Sequence, residues 1–186
     1  MAIAPSAKVW TWQEALALPG GERYEVIDGE LKERVMSVQS SAIAMAIAAY
    51  LGQWVRSGHP GTVLGSDGGY TIFPWAPGDV RMPDVSYVSQ ARMPRVPARG
   101  WSDVAPEFAV EVVSPTDLAL DVDLKAHDYI RAGVDLVWVV FPRTRTIVVY
   151  RPGLPQTSFG PGETVNGGDV LPGLSVSIDE LFAPFE

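Results

Sequence analysis

The stretch EFAVEVVSPTDLALDVDLKAHDYIRAGVDLVWVV, residues 107–140, decides the fold. Its opening, Glu107–Val113, is a short apolar run that stops at Ser114-Pro115 and reads as a strand. Asp121–Ala132 carries a helical pattern closed by Gly133, and Leu136–Phe141 reads as a second strand. A strand, a helix and a strand in direct succession form a crossover unit, in which the two strands run parallel. Two-residue alternation puts Phe108, Val110 and Val112 on one face of the first strand and Glu111, with Ala109 and Val113, on the other. A carboxylate in so apolar a strand is costly unless it meets a cation or takes up a proton.

Downstream, Thr146–Tyr150 pairs with Leu136–Phe141 around Pro142-Arg143, and a turn-rich tail ends in a short helix near Ile178–Phe182. Upstream, Thr11–Leu18 reads as a short helix, with Thr11 and Glu14 at capping-box spacing. Tyr24–Val35 alternates on both sides of Asp28-Gly29, a strong hairpin signal. Ser40–Val55 is the longest helical stretch; Ile43, Ile47, Tyr50, Leu51 and Trp54 recur at helical spacing with mostly alanine between. So apolar a helix is expected against a sheet on one side and a second subunit on another. Thr62–Gly65 and Tyr70–Phe73 read as strands around a turn containing Asp67, and Asp84–Ser89 as a further strand. Gln90–Ser102 is an irregular connection. The pattern predicts an α/β (α+β) fold, a central mixed β-sheet flanked by helices, in one domain over residues 1–186.

Composition limits the chemistry. The 186 residues are 47% apolar and 19% charged, the balance of a soluble globular chain. The longest apolar run, Ala42–Leu51, falls well short of the roughly 20 residues that span a bilayer. Met1–Pro5 shows no secretory signal, and the absence of cysteine removes disulfide scaffolds, thiolate metal sites and cysteine nucleophiles. Both features fit a reducing, cytoplasmic setting. With only His59 and His127, a histidine-rich zinc site is excluded in practice; carboxylate-held magnesium or manganese remains. The net charge of −8 opposes a polyanion, so nucleic-acid binding would need a local basic patch or a metal ion. Phosphate-binding glycine loops and a Gly-x-Ser-x-Gly elbow are both missing.

A few residues stand out. Asp84 follows Pro83 at the start of an apolar strand. Placed beside Glu111, it would make a pair of carboxylates that calls for a divalent ion; the plainer alternative is a turn cap and a structural arginine pair. Lys125 is one of three lysines against eleven arginines, and Asp121 four residues before it offers an ordinary surface pair as the alternative to catalysis. Tyr129 lies one turn on, on the same face, whereas His127 falls on another. Arg81, three residues before Asp84, and Arg92, Arg95 and Arg99, between the two carboxylates, are candidate nucleic-acid contacts, or else solvated loop residues. His59 and the tryptophans read as turn and packing residues.

The order Pro83-Asp84, Glu111-Val112-Val113-Ser114-Pro115 and Lys125-x-x-x-Tyr129-x-x-x-Gly133 resembles the Uma-two type restriction endonuclease family, within the PD-(D/E)XK nuclease superfamily. The resemblance runs from about Tyr24 to Leu181, supported by Tyr24–Leu31, Gly133–Val140 and Gly168–Gly173. It implies a restriction-endonuclease-like core over about 22–182 and metal-dependent endonuclease activity on nucleic acid, DNA first, from a homodimer. Asp84 and Glu111 would hold Mg2+ or Mn2+, helped by the Val112 carbonyl. Val113 stands where the motif expects its lysine, and Lys125 would supply that lysine from the following helix. Glu25, matching an acidic position in the family's hairpin, would complete the metal shell and the catalytic set. Two positions depart from the family: Ser40-Ser41 replaces a frequent Glu-His pair, and Phe141 replaces a common aspartate. The alternative is a catalytically silent nuclease fold serving as a nucleic-acid-binding or oligomeric interaction module.

Overall fold

The computed structural model describes residues 8–34, 37–115 and 117–185. Its elements are α1 (Trp12–Leu16), β1 (Tyr24–Ile27), β2 (Glu30–Glu33), α2 (Val38–Arg56), β3 (Gly61–Gly65), β4 (Val85–Ser89) and β5 (Phe108–Val112). They continue with α3 (Ala119–Arg131), β6 (Leu136–Phe141), β7 (Thr146–Tyr150), β8 (Thr157–Phe159), β9 (Thr164–Gly167), β10 (Leu171–Ser177) and α4 (Ile178–Phe182).

The crossover forms as its sequence dictates. β5 and β6 are parallel, with Phe108 opposite Leu136 and Val112 opposite Val140, and α3 joins them. They sit at the centre of a six-stranded sheet ordered β3-β4-β5-β6-β7-β8, whose other neighbours pair antiparallel. The alternation along β5 sorts the core into two layers. Phe108, Val110 and Val112 pack with Ile43, Ile47, Leu51 and Trp54 of α2 and with the C-terminal elements. Trp138 lies fully buried in that layer, edge-on to Phe108 at 4.9 Å between centroids. Ala109 faces the opposite way, against Val122, Ala126 and Tyr129 of α3. Glu111 shares that second face.

The β1–β2 hairpin stands apart from the main sheet. Asp28 and Gly29 both adopt positive φ, 52° and 75°, as a tight two-residue turn between twisted strands requires. The Asp79 carboxylate accepts hydrogen bonds from the Asp28 and Gly29 amides at 2.8 and 3.3 Å. Paired backbone bonds between Val26 and Val80 tie the hairpin to the segment entering β4. Trp10, Trp12, Leu31 and Trp101 close over the small core of Ala15, Val26, Val80 and Met82. The Thr11–Glu14 capping box is present on α1.

Two expectations are corrected. Tyr70–Phe73 forms no strand: Tyr70 makes single bridges to Arg81 and Ser102, and the neighbouring edge of β4 is already taken by β3. Its Tyr70 and Phe73 side chains are buried instead, with the Tyr70 hydroxyl 2.7 Å from Ser86 Oγ. The turn-rich tail instead supplies three strands, β8, β9 and β10. Frequent Gly and Pro hide their periodicity, yet Val165, Leu171, Leu174 and Val176 are core residues. α2 packs one face against the sheet, and its Val38 and Met45 are 90% and 65% exposed. None of the described helices is long and apolar enough to cross a membrane.

Candidate active site

Strand pairing brings the two motif carboxylates together. β4 and β5 run antiparallel with Val85 opposite Val110, so the next step of the register sets Asp84 opposite Glu111. The Asp84 amide donates to the Val110 carbonyl at 2.9 Å, and the Val112 amide donates to Asp84 Oδ2 at 2.7 Å. The other oxygen, Oδ1, accepts from Arg34 Nη2 at 3.2 Å. Burial raises the Asp84 pKa, against the opposing effects of the Val112 amide, Lys125 and Arg34.

α3 supplies the next two groups. Lys125 and Tyr129 are four residues apart and face the sheet together. The Tyr129 hydroxyl donates to Glu111 Oε1 at 2.9 Å, and Lys125 Nζ lies 2.9 Å from the same oxygen. Lys125 Nζ also lies 2.9 and 3.0 Å from the two carboxylate oxygens of Glu25 on β1. Glu25 Oε1 is held in turn by the Met82 amide. One ammonium thus joins the hairpin, the central sheet and α3.

The electrostatics follow from burial and crowding. Desolvation pushes the Glu111 pKa up to about 7; Lys125 opposes the rise, and the Asp84 and Glu25 charges add to it. Burial would lower the Lys125 pKa, but Glu111 and Glu25 hold it above its ordinary value, so the ammonium stays charged. Burial, then the Glu111 charge, raises Tyr129 well above its usual range and keeps it a proton donor.

Glu25, Asp84, Glu111 and Lys125 line one cleft of about 780 Å³ between the hairpin and α3, together with Arg34 and Arg81. Arg81 is only 1% exposed; it pairs with Asp128 at 2.5 Å, lies 3.8 Å from Asp79 and stacks over Phe73. Arg92, Arg95 and Arg99 do not line the cleft. Arg92 pairs with Glu107 and Asp135, while Arg95 and Arg99 are exposed. The reason is topological: Asp84 precedes the start of β4, whereas the 90–102 connection leaves from its far end. Lys125 is not engaged by Asp121 among the described residues; its nitrogen turns inward. Ser40 Oγ lies 2.8 Å from Ser37 Oγ and 3.4 Å from Ser114 Oγ. Phe141 packs on the α3 side, and His127 lies on the surface near Asp123. Arg34 had no signal in the sequence: it meets Asp84 across fifty positions through the placement of the hairpin.

The donor set suits a hard divalent cation. Among the described residues no group of three or more His, Asp and Glu side chains is arranged to hold a metal. Asp84 and Glu111 instead offer two carboxylates, and Mg2+ is commonly held by one or two carboxylates with water and phosphate completing its shell. Burial raises the pKa of each carboxyl, a cost of ionisation that a bound cation would offset.

A family model described as "Uma2: Putative restriction endonuclease" matches residues 12–179. A solved structure, of a putative nuclease belonging to DUF820 from Anabaena variabilis ATCC 29413, is similar in fold. It is 24% identical, with a TM-score of 0.79 over 93% of this chain and 97% of that one. A search of curated proteins finds no match.

Proposed function

The chain belongs to the Uma2 restriction endonuclease family, and from that premise we propose that it is a metal-dependent endonuclease hydrolysing phosphodiester bonds, with DNA as its first substrate class. The observation that carries this is the convergence of Lys125, Glu25 and Glu111 beside Asp84 in one cleft. Asp84 and Glu111 are the metal-holding pair. When bound, Mg2+ or Mn2+ supplies a Lewis acid toward phosphate oxygen and lowers the pKa of a water. Lys125, kept charged by its carboxylate neighbours, orients the attacking water and offsets negative charge growing on the phosphate. Glu25 positions Lys125. Tyr129 and Lys125 both occupy Glu111 Oε1, and Oε2 carries no partner among the described residues, so it is the oxygen left to face a cation. The homodimer belongs to the same proposal: the uncovered face of α2 would meet its copy, and light scattering should give twice the monomer mass. A monomeric mass at micromolar concentration would remove it.

The test is a calorimetric titration with Mn2+ on the parent and Asp84→Ala, followed by cleavage assays on DNA and RNA with Lys125→Ala. Specific binding lost in Asp84→Ala, and cleavage lost in Lys125→Ala with the fold retained, are the expected results. A well-folded parent that binds no Mn2+ and cleaves neither polymer would leave a silent nucleic-acid-binding module in its place.

A further inference from the structure

Arg34 touches the metal-holding pair but has no place in the motif. Its side chain is 13% exposed, in a setting where an arginine is kept only with partners. It has two: Nη1 donates to the Ser66 carbonyl at 2.5 Å, and Nη2 donates to Asp84 Oδ1 at 3.2 Å. These partners differ in kind. The Ser66 carbonyl belongs to the turn after β3 and has no other use in the cleft. Asp84 Oδ1 is the oxygen left over once the Val112 amide has taken Oδ2. A divalent ion bound by Asp84 therefore claims the atom on which the guanidinium now rests. Two cations on one carboxylate oxygen repel strongly at this depth.

We propose that Arg34 is a phosphodiester-binding residue of this site, and that it exchanges Asp84 for a substrate phosphate when the metal binds; the inference rests on the metal-dependent reading above. The Ser66 carbonyl tethers Nη1, so the released guanidinium stays beside the cleft instead of swinging into solvent. Its remaining donors form a planar fork that matches phosphate oxygens in pairs. Lys32 is more than half exposed and pairs with Glu30, Lys125 is committed to Glu25 and Glu111, Arg81 to Asp128, and Arg131 stacks over Trp75. Arg34 is thus the cation whose partner the metal displaces. In the metal-free protein the same contact holds Asp84 Oδ1 in place and gives its charge a neighbour.

The two roles predict affinities that move in opposite directions. Arg34→Gln keeps a hydrogen-bonding group for Ser66 but removes the charge. The parent, Arg34→Gln and Arg34→Lys are titrated with Mn2+ by calorimetry. Each is then titrated, with Ca2+ replacing Mn2+, against labelled 12-nucleotide DNA and RNA strands by fluorescence anisotropy. Arg34→Gln should bind Mn2+ several-fold more tightly, because a competing cation has left. It should bind the better strand about tenfold more weakly, the weight of a charge-assisted hydrogen bond. Arg34→Lys should restore part of the strand affinity. Circular dichroism checks that each variant is folded. Unchanged or weaker Mn2+ binding in folded Arg34→Gln overturns the exchange and leaves an ordinary ion pair, while the metal site itself stands. Tighter Mn2+ binding with undiminished strand affinity overturns the phosphate role. A parent that binds no Mn2+ overturns this inference together with the metal-dependent reading.

Discussion

At the scale of single residues, Glu111 is the carboxyl on which burial acts most plainly. Burial takes its pKa from an ordinary 4.5 to about 7, with Asp84 and Glu25 adding to the rise against Lys125. A carboxyl whose pKa is raised on folding binds its proton more tightly in the native state. Its contribution to stability is therefore full below about 4.5 and is lost as the pH climbs through about 7. In chelator, the parent should lose thermal stability across that window by more than Glu111→Gln does, since glutamine has no proton to give up. Melting temperatures at pH 5 and pH 8 measure this; equal slopes in the two proteins would place the strain elsewhere. The same residues show what a sequence discloses at this scale. Glu111 was legible because a charge in an apolar strand must be answered. Asp84 and Lys125 were singled out through the family resemblance; spacing alone made Lys125 a surface partner of Asp121. Arg34 was not, because nothing local distinguishes an arginine that salt-bridges its neighbour from one that reaches Asp84 across the fold.

At the scale of elements, short-range rules wrote the parts that carry the site. β5, α3, β6 and β7 and the Asp28-Gly29 hairpin fall where their periodicity and turn residues put them. The strands β8 to β10 did not announce themselves, since Pro and Gly break each run before alternation repeats. Tyr70–Phe73 had strand-prone residues but no free neighbouring edge to pair with. The arginine-bearing 90–102 connection lies between the motif carboxylates in sequence but departs from the other end of β4; sequence order says nothing of strand direction. The hairpin has the most exacting turn. Gly29 sits at φ 75°, and a Cβ there would meet Val9 Cγ1 at 2.5 Å. Gly29→Ala should cost roughly 1–2 kcal/mol from left-handed strain. Because β1 carries Glu25, the loss should surface first as faster amide hydrogen exchange in β1 and β2, with α3 little changed. Exchange that rises equally in α3 would mean the hairpin is no separate unit of stability.

At the scale of the molecule, the charge of −8 has to be reconciled with a polyanionic substrate. The cleft does not escape the overall balance: nine carboxylate residues and five basic ones line it. Two of those basic residues, Lys125 and Arg81, are bound to carboxylates inside the protein. The protein alone thus presents a repulsive face to phosphate. A divalent ion between Asp84 and Glu111 reverses the local field, and by the exchange argued for Arg34 it also frees a guanidinium. Binding, and not hydrolysis alone, should then depend on the metal. Anisotropy of a labelled DNA strand should show at least about tenfold weaker association in chelator than with Ca2+, from the loss of one or more charge-assisted contacts. The dependence on monovalent salt should also be shallow. Each neutralised phosphate contributes a slope of about −0.7 to −0.9 in log K against log salt, so a site with one or two cations free to meet phosphate gives about −1 to −2. A protein that coats nucleic acid through a basic surface would give a far steeper slope and no need for Ca2+. Equal affinity in chelator and in Ca2+ would break the link between metal and substrate. A steep slope would instead locate the contact on the exposed arginines outside the cleft, Arg95 and Arg99 among them.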